Sequence, residues 1–201
     1  SLDVISASSG DNRVSWFRNT DGAGTFAAVN DITTAAVTVR DVHVADIDDD
    51  GAPDVLSASA GDDRIAWYRN DGAGAFVNTV DISINAATAQ SVYAADLDDD
   101  GDLDVLSASS GDSSITWYEN TDGLGAFSAG IDLITTASGA RAVHAADLDD
   151  DGDTDVLGAS YGDGRVRWFE NTDGAGSFGP AVEIDAGLPG AGDVTTADID
   201  G

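Results

Sequence analysis

Three stretches of the chain concentrate carboxylates at a spacing that suits a hard cation. Each reads D-x-D-x-D-G-x-x-D: Asp46, Asp48, Asp50, Gly51 and Asp54; Asp96, Asp98, Asp100, Gly101 and Asp104; Asp147, Asp149, Asp151, Gly152 and Asp155. Carboxylates this close repel one another unless a cation sits among them. Ca²⁺ takes roughly six to eight oxygens in flexible geometry, and alternate residues of a tight loop can aim at one point. The glycine permits the sharp turn. The backbone carbonyl after it, of Ala52, Asp102 or Asp153, is placed to complete the shell, with the last Asp closing it. Mg²⁺ suits the pattern less, because it keeps its waters and demands octahedral geometry. Asp49, Asp99 and Asp150 should face solvent. Asp also favours turns, but turn formation alone does not require recurrence at positions one, three, five and nine around a glycine. An EF-hand loop has about twelve residues between helices, whereas here a strand-like Val-Leu-Ser-Ala-Ser or its equivalent follows at once.

A fourth loop is divided between the chain ends. Asp198-Ile199-Asp200-Gly201 carries its beginning and Ser1-Leu2-Asp3 its end, and the joined text is two residues shorter and lacks one Asp. Asp198, Asp200 and Asp3 are therefore expected to hold an ion weakly or not at all.

The elements that position these loops recur with them. Trp16, Trp67, Trp117 and Trp168 are spaced by 51, 50 and 51 residues, within RVSWFRN, RIAWYRN, SITWYEN and RVRWFEN. DVISASSGD, DVLSASAGD, DVLSASSGD and DVLGASYGD precede them, and D-G-x-G-x-F turns follow. Alternation such as Val14/Trp16 against Ser15/Phe17 marks strands, and the Gly-Asp and Asp-Gly pairs supply tight hairpin turns. Each unit holds four strands, typified by DVHVAD, DVLSAS, RIAWYR and AFVNTVDI. Such a period predicts an all-β propeller of four four-stranded blades. The units run approximately 1–40, 41–90, 91–141 and 142–192, with 193–201 completing the first blade. Pairing of Asp193–Asp198 with Leu2–Ser9 would close the ring by strand exchange between the termini and leave no open edge. A fragment of a larger ring, or two chains sharing an eight-bladed ring, would carry the same text. The four Trp, with Phe26, Phe76, Phe127 and Phe178, read as inter-blade core, although Trp can also form a sugar-stacking platform. His43, Tyr93, His144 and Thr195 occupy equivalent positions that would ring the axis. Arg40, Gln90 and Arg141 precede that position by three residues and read as paired surface charge or as a grip on an anion.

The acidic loop, the following D-V-L-S-A-S, the R-I-A-W-Y-x-N strand and the D-G-x-G-x-F turn together resemble the FG-GAP or VCBS repeat over essentially the whole chain. The resemblance implies a propeller with Ca²⁺ bound between the first two strands of each blade, which gives three ions at the complete loops here, with a fourth weak or absent at the split loop. It also implies an extracellular or cell-surface module for adhesion or ligand binding. The family usually builds seven-bladed rings, and this chain has material for four.

Composition narrows the function classes. The 201 residues include 38 acids, three of them Glu, against eight Arg and no Lys, for a net charge of -30. That excess repels nucleic acids and anionic membrane surfaces. No apolar stretch approaches a membrane span or reads as a signal peptide, and the chain opens on Ser1, as a mature or excised segment would. Without Cys there is no disulfide, thiolate site or Cys nucleophile. No phosphate-cradling loop or G-x-S-x-G elbow is present, and the many Asp single out no catalytic pair, so no enzyme is expected. The expected function is a calcium-stabilised extracellular binding or adhesion module for a protein or carbohydrate ligand. Alternatives are a lectin with glycan sites at blade loops, or a structural repeat segment of a larger surface protein or filament. The chain should be a monomer or self-assemble with calcium.

Overall fold

A computed structural model describes residues 1–200 and contains fifteen strands and no helix. The first sheet holds β1 (Val4–Ser8), β2 (Arg13–Phe17) and β3 (Asn30–Thr33). The second holds β4 (Val39–Ala45), β5 (Asp54–Ser59), β6 (Arg64–Asn70) and β7 (Phe76–Ser83). The third holds β8 (Ala89–Ala95), β9 (Asp104–Ser109), β10 (Ser114–Tyr118) and β11 (Ile131–Ile134). The fourth holds β12 (Ala140–Ala146), β13 (Asp155–Ser160), β14 (Arg165–Phe169) and β15 (Val182–Asp185). Neighbours within every sheet are antiparallel and consecutive in sequence, as hairpin-built blades require. The innermost strands β4, β8 and β12 pack side by side about a common axis.

Outer strands differ for a local reason. In the second unit Asn70 pairs with Phe76 within the β6–β7 ladder, just past a register shift after Arg69, whereas the other three units carry an extra Thr at 20, 121 or 172. Each of these hydroxyls bonds back to a carbonyl five residues on. The ladder then shrinks to an isolated bridge at Asn19–Phe26, Asn120–Phe127 and Asn171–Phe178 before the strand resumes.

Packing lies between sheets, where three apolar clusters join first to second, second to third and third to fourth. Trp67 and Trp117 are buried there, edge-on to Phe127 and Phe178 of the next sheet at 6.4 and 5.9 Å. Gly125 and Gly176, at positive φ, lie against these rings, and a Cβ on either would collide with the indole. A side-chain amide clasps each of the same two seams: Asn120 Nδ2 donates to Ile47 O at 3.1 Å, and Asn171 Nδ2 to Leu97 O at 2.9 Å. Asn70 reaches only Pro53 O within its own sheet.

The fourth seam is not formed. Leu148 is 39% exposed, while its equivalents Ile47 and Leu97 are 2% and 1% exposed. Val4 is 47% exposed, against 1%, 0% and 0% for Val55, Val105 and Val156. Phe26, expected in the core, is exposed because Trp168 does not reach it, and Trp16 and Trp168 are only half-buried. The expected pairing of 193–198 with the first strand is also missing: that segment has no strand, and the first sheet keeps three. In the other sheets the first two strands form a local hairpin across an Asp loop. Here no Asp loop links the two segments as a hairpin. Thr196 nevertheless lies beside the axis, its hydroxyl 3.1 Å from His144 Nε2. Between the first and second sheets a cleft of about 670 Å³ opens by Trp16, Val42, Val55 and Phe76. Ile47 and Leu97 enter the corresponding places of the next two seams, and the equivalent residue here, Ile199, is 92% exposed.

Removing a clasp leaves a buried carbonyl without its donor. Asn120→Ala and Asn171→Ala should each cost about 1–3 kcal/mol, and Asn19→Ala, whose amide spans no seam, distinctly less. Urea unfolding of the three variants checks this, and equal losses would contradict the clasp.

Candidate metal centres

The loops between β4 and β5, β8 and β9, and β12 and β13 place the aspartates at one end of the axis. Positive φ at Asp49, Asp99 and Asp150, followed two residues on by Gly51, Gly101 and Gly152, curls each backbone tightly. The first carboxylate then caps the turn: Gly51 N, Gly101 N and Gly152 N donate to Asp46, Asp96 and Asp147 at 2.9, 3.1 and 3.0 Å. Asp49, Asp99 and Asp150 are exposed.

Side-chain oxygens of Asp46, Asp48 and Asp50 come within 4.8 Å of one another, as do those of Asp96, Asp98 and Asp100. In the third loop the group is Asp147, Asp149 and Asp155, with Asp151 outside it. Among the described residues Asp3, Asp198 and Asp200 form no such cluster. Asp48 Oδ1, Asp96 Oδ1 and Asp98 Oδ1 are buried without a hydrogen-bond partner. Buried oxygens of this kind are costly unless paired, and an all-oxygen donor set at this spacing fits a hard cation. Burial, then the neighbouring acids, raises the carboxyl of Asp98 above its usual range, and Asp102, Asp149 and Asp153 shift the same way. Asp49 and Asp99 of adjacent loops contribute to Asp102 and Asp153, so the loops form one acidic rim.

The ninth-position aspartates bind the protein itself. Asp54, Asp104 and Asp155 are fully buried. Asp54 accepts from Ile47 N at 3.3 Å, Asn70 N at 2.7 Å and Trp67 Nε1 at 2.8 Å. Asp104 accepts from Leu97 N and Asn120 N, and Asp155 from Leu148 N and Asn171 N. Burial pushes Asp104 up to about 7, partly offset by its amide donors, and also raises Asp54. A raised folded-state value favours folding below the ordinary carboxylate range, and that advantage is lost as pH rises through the folded value. At neutral pH these carboxylates favour a cation beside them.

One position, two residues after each Trp, makes the loops unequal. Arg69 forms an ion pair with Asp48 and reaches Asp50 Oδ2 at 3.1 Å, so the first loop carries an internal counter-ion. The equivalents in the next two sheets are Glu119 and Glu170, which add to the upward shifts of Asp98 and Asp149. Sequence reasoning passed over this position, although the change from Arg to Glu is visible once the units are aligned.

Inside the axis the rings of His43, Tyr93 and His144 touch in turn, the first pair tilted and the second edge-on, with centroids 4.5 and 4.9 Å apart. Burial lowers both His values, so the column favours neutral rings.

The structure is similar to a lectin from Agrocybe aegerita, described as recognising non-reducing terminal N-acetylglucosamine, with 23% identity and a TM-score of 0.64 over 94% of this chain and 50% of that one. A luciferin-regenerating enzyme matches with 14% identity and a TM-score of 0.55, over 91% of this chain and 59% of that one. BBS1N, solved in complex with ARL6DN, matches with 12% identity and a TM-score of 0.52, over 88% and 54% respectively. These likenesses concern the fold, and the chain spans between half and three-fifths of the structures it matches. Among curated proteins none is significantly similar in sequence. FG-GAP-like repeats match residues 1–57, 46–107, 96–158 and 147–201, each running from one acidic loop through the next. With four consecutive matches over its whole length, the chain belongs to the FG-GAP-like repeat family.

Proposed function

We propose that the chain is a calcium-stabilised, non-catalytic binding module that works outside the cell or on its surface and engages a protein or glycan. The observation that carries the calcium reading is the set of buried, unpartnered carboxylate oxygens on Asp48, Asp96 and Asp98. Ca²⁺ would be held by Asp46, Asp48, Asp50 and the Ala52 carbonyl, by Asp96, Asp98, Asp100 and the Asp102 carbonyl, and by Asp147, Asp149, Asp155 and the Asp153 carbonyl. Asp54 and Asp104 would add a lone pair only beside the amides they already accept from, and Asp151 only by turning inward. Its role is structural. It neutralises the rim and fixes the turn from which Ile47 and Leu97 enter the next seam. Surface-loop sites built from such donors commonly operate at extracellular Ca²⁺ levels, which is the ground for the proposed setting.

A glycan ligand is favoured over a protein one by the cleft between the first two sheets. It presents Trp16 and Phe76 beside Asp3 and Asn70, an aromatic face with polar groups at its edge, and it stays accessible while Ile199 is outside it. The likeness to the N-acetylglucosamine-recognising lectin supports the same reading. A glycan array probed with and without Ca²⁺ tests it. Retention of terminal sugars supports the lectin reading, and an array without signal refutes it.

Chelation should lower the melting temperature. A site at 100 times its Kd contributes about 2.7 kcal/mol by mass action, and identical melting in EDTA and in millimolar Ca²⁺ would refute the calcium reading. The three loops should also differ in affinity. Arg69→Gln removes the guanidinium that competes for the first loop and should tighten that site by on the order of tenfold, about 1.4 kcal/mol of relieved repulsion. Calorimetric titration of parent and variant measures this, and an unchanged isotherm would show that Arg69 does not compete with the ion.

A further inference from the structure

The innermost strands each carry one residue too many at the end away from the acidic rim. β4, β8 and β12 shift register against their partners between Val39 and Asp41, between Ala89 and Ser91, and between Ala140 and Ala142. Arg40, Gln90 and Arg141 are therefore bulged residues. A bulge leaves its residue out of the ladder and re-aims the side chain. All three line one funnel of about 350 Å³ at the mouth of the axis, with Asp41, Ser91 and Asp193.

Charge is distributed unusually around this funnel. Arg13, Arg64, Arg69, Arg165 and Arg167 are each paired with an acid. Among the described residues the other three form no ion pair: Arg18 lies at the cleft between the first two sheets, Arg40 has no acidic partner, and Arg141 bonds only the neutral Gln90, Nη1 to Oε1 at 2.8 Å. In a chain with 38 acids, two guanidiniums without a carboxylate flank the same opening. Asp41 is committed elsewhere: its Oδ2 accepts from Ser91 Oγ and Val92 N, both at 3.0 Å, and its Oδ1 from Val42 N at 2.9 Å. Asp193 accepts from Val194 N at 2.9 Å through Oδ1 and is exposed at the rim of the funnel.

We infer that the funnel binds a small hydroxylated carboxylate, a sugar acid of the uronate type. Its carboxylate lies between Arg40 and Arg141, where a planar guanidinium can grip it with two parallel hydrogen bonds. Gln90 holds Arg141 in place, and Asp193 accepts from the ligand's hydroxyls. A bare inorganic dianion gains the arginines but meets the Asp193 charge, and a neutral sugar leaves both guanidiniums unanswered. This site is independent of the calcium loops and of the cleft between the first two sheets.

Calorimetry at fixed free Ca²⁺ with sodium glucuronate, glucose and sodium sulfate tests the assignment. Glucuronate should bind saturably, and Arg40→Gln and Arg141→Gln should each weaken it about tenfold or more, the loss expected for a charge-assisted hydrogen bond. Glucose should give no binding, and Arg165→Gln should bind glucuronate like the parent. Should Arg141→Gln melt early through loss of its bond to Gln90, Arg40→Gln decides alone, because Arg40 has no partner to lose. Absence of saturable glucuronate binding, or binding that survives Arg40→Gln, overturns the site. Sulfate or glucose binding as tightly as glucuronate overturns the ligand class.

Discussion

Asp54, Asp104 and Asp155 sit where three demands on the chain meet. Each carboxylate accepts from the amide of the loop residue seven positions back and from the backbone of the Asn sixteen positions on. The same group thus joins the end of the innermost strand, the start of the second and the end of the third. Because the loop is pinned there, Ile47 and Leu97 are held at the height where they enter the neighbouring sheet. Because Asn120 and Asn171 are pinned there, their amides can reach back to the carbonyls of those two residues. A buried carboxylate is costly on its own, and the crowd of further Asp around it makes the local charge worse. A cation at the loop answers both problems, which links the acidic rim to sheet packing in a single structural device.

That device also accounts for the weak points of the molecule. The first sheet has Asp3 in the equivalent place, bonded to Trp16 and Asn19, but no continuous loop leads into it. Its seam with the second sheet gapes where a loop residue would enter, and its other face is exposed opposite the fourth sheet. Leu148 and Val4 show what an unfinished seam exposes, while Thr196 beside His144 shows that the C-terminal segment already lies near the axis. The two faces carry the same residue types that meet in the formed seams.

Much of this was legible in the residues themselves. The spacing of Asp within each loop is a local property, so the carboxylate groupings could be read directly, as could the four units and the burial of Trp67 and Trp117. Asp155 joining the third group in place of Asp151 depends on side-chain direction within one turn, which spacing does not specify. Arg69 against Glu119 and Glu170 was visible in the aligned units, but its meaning needed the third strand to lie beside the loop. The bulges at Arg40, Gln90 and Arg141 were not legible, because register follows from hydrogen bonding between strands and not from residue type. The expected strand at 193–198 had the right sequence pattern. It is not formed, because a strand needs a bonded partner as well as a pattern, and no Asp loop holds this segment against the first sheet.

Native mass spectrometry across a Ca²⁺ titration tests most directly that the rim is a set of cation sites. The account predicts three ions per chain, two taken up before the third, because Arg69 occupies part of the first loop while Glu119 and Glu170 strengthen the other two. No Ca²⁺ adducts beyond non-specific background, or three ions bound without distinction, would contradict it.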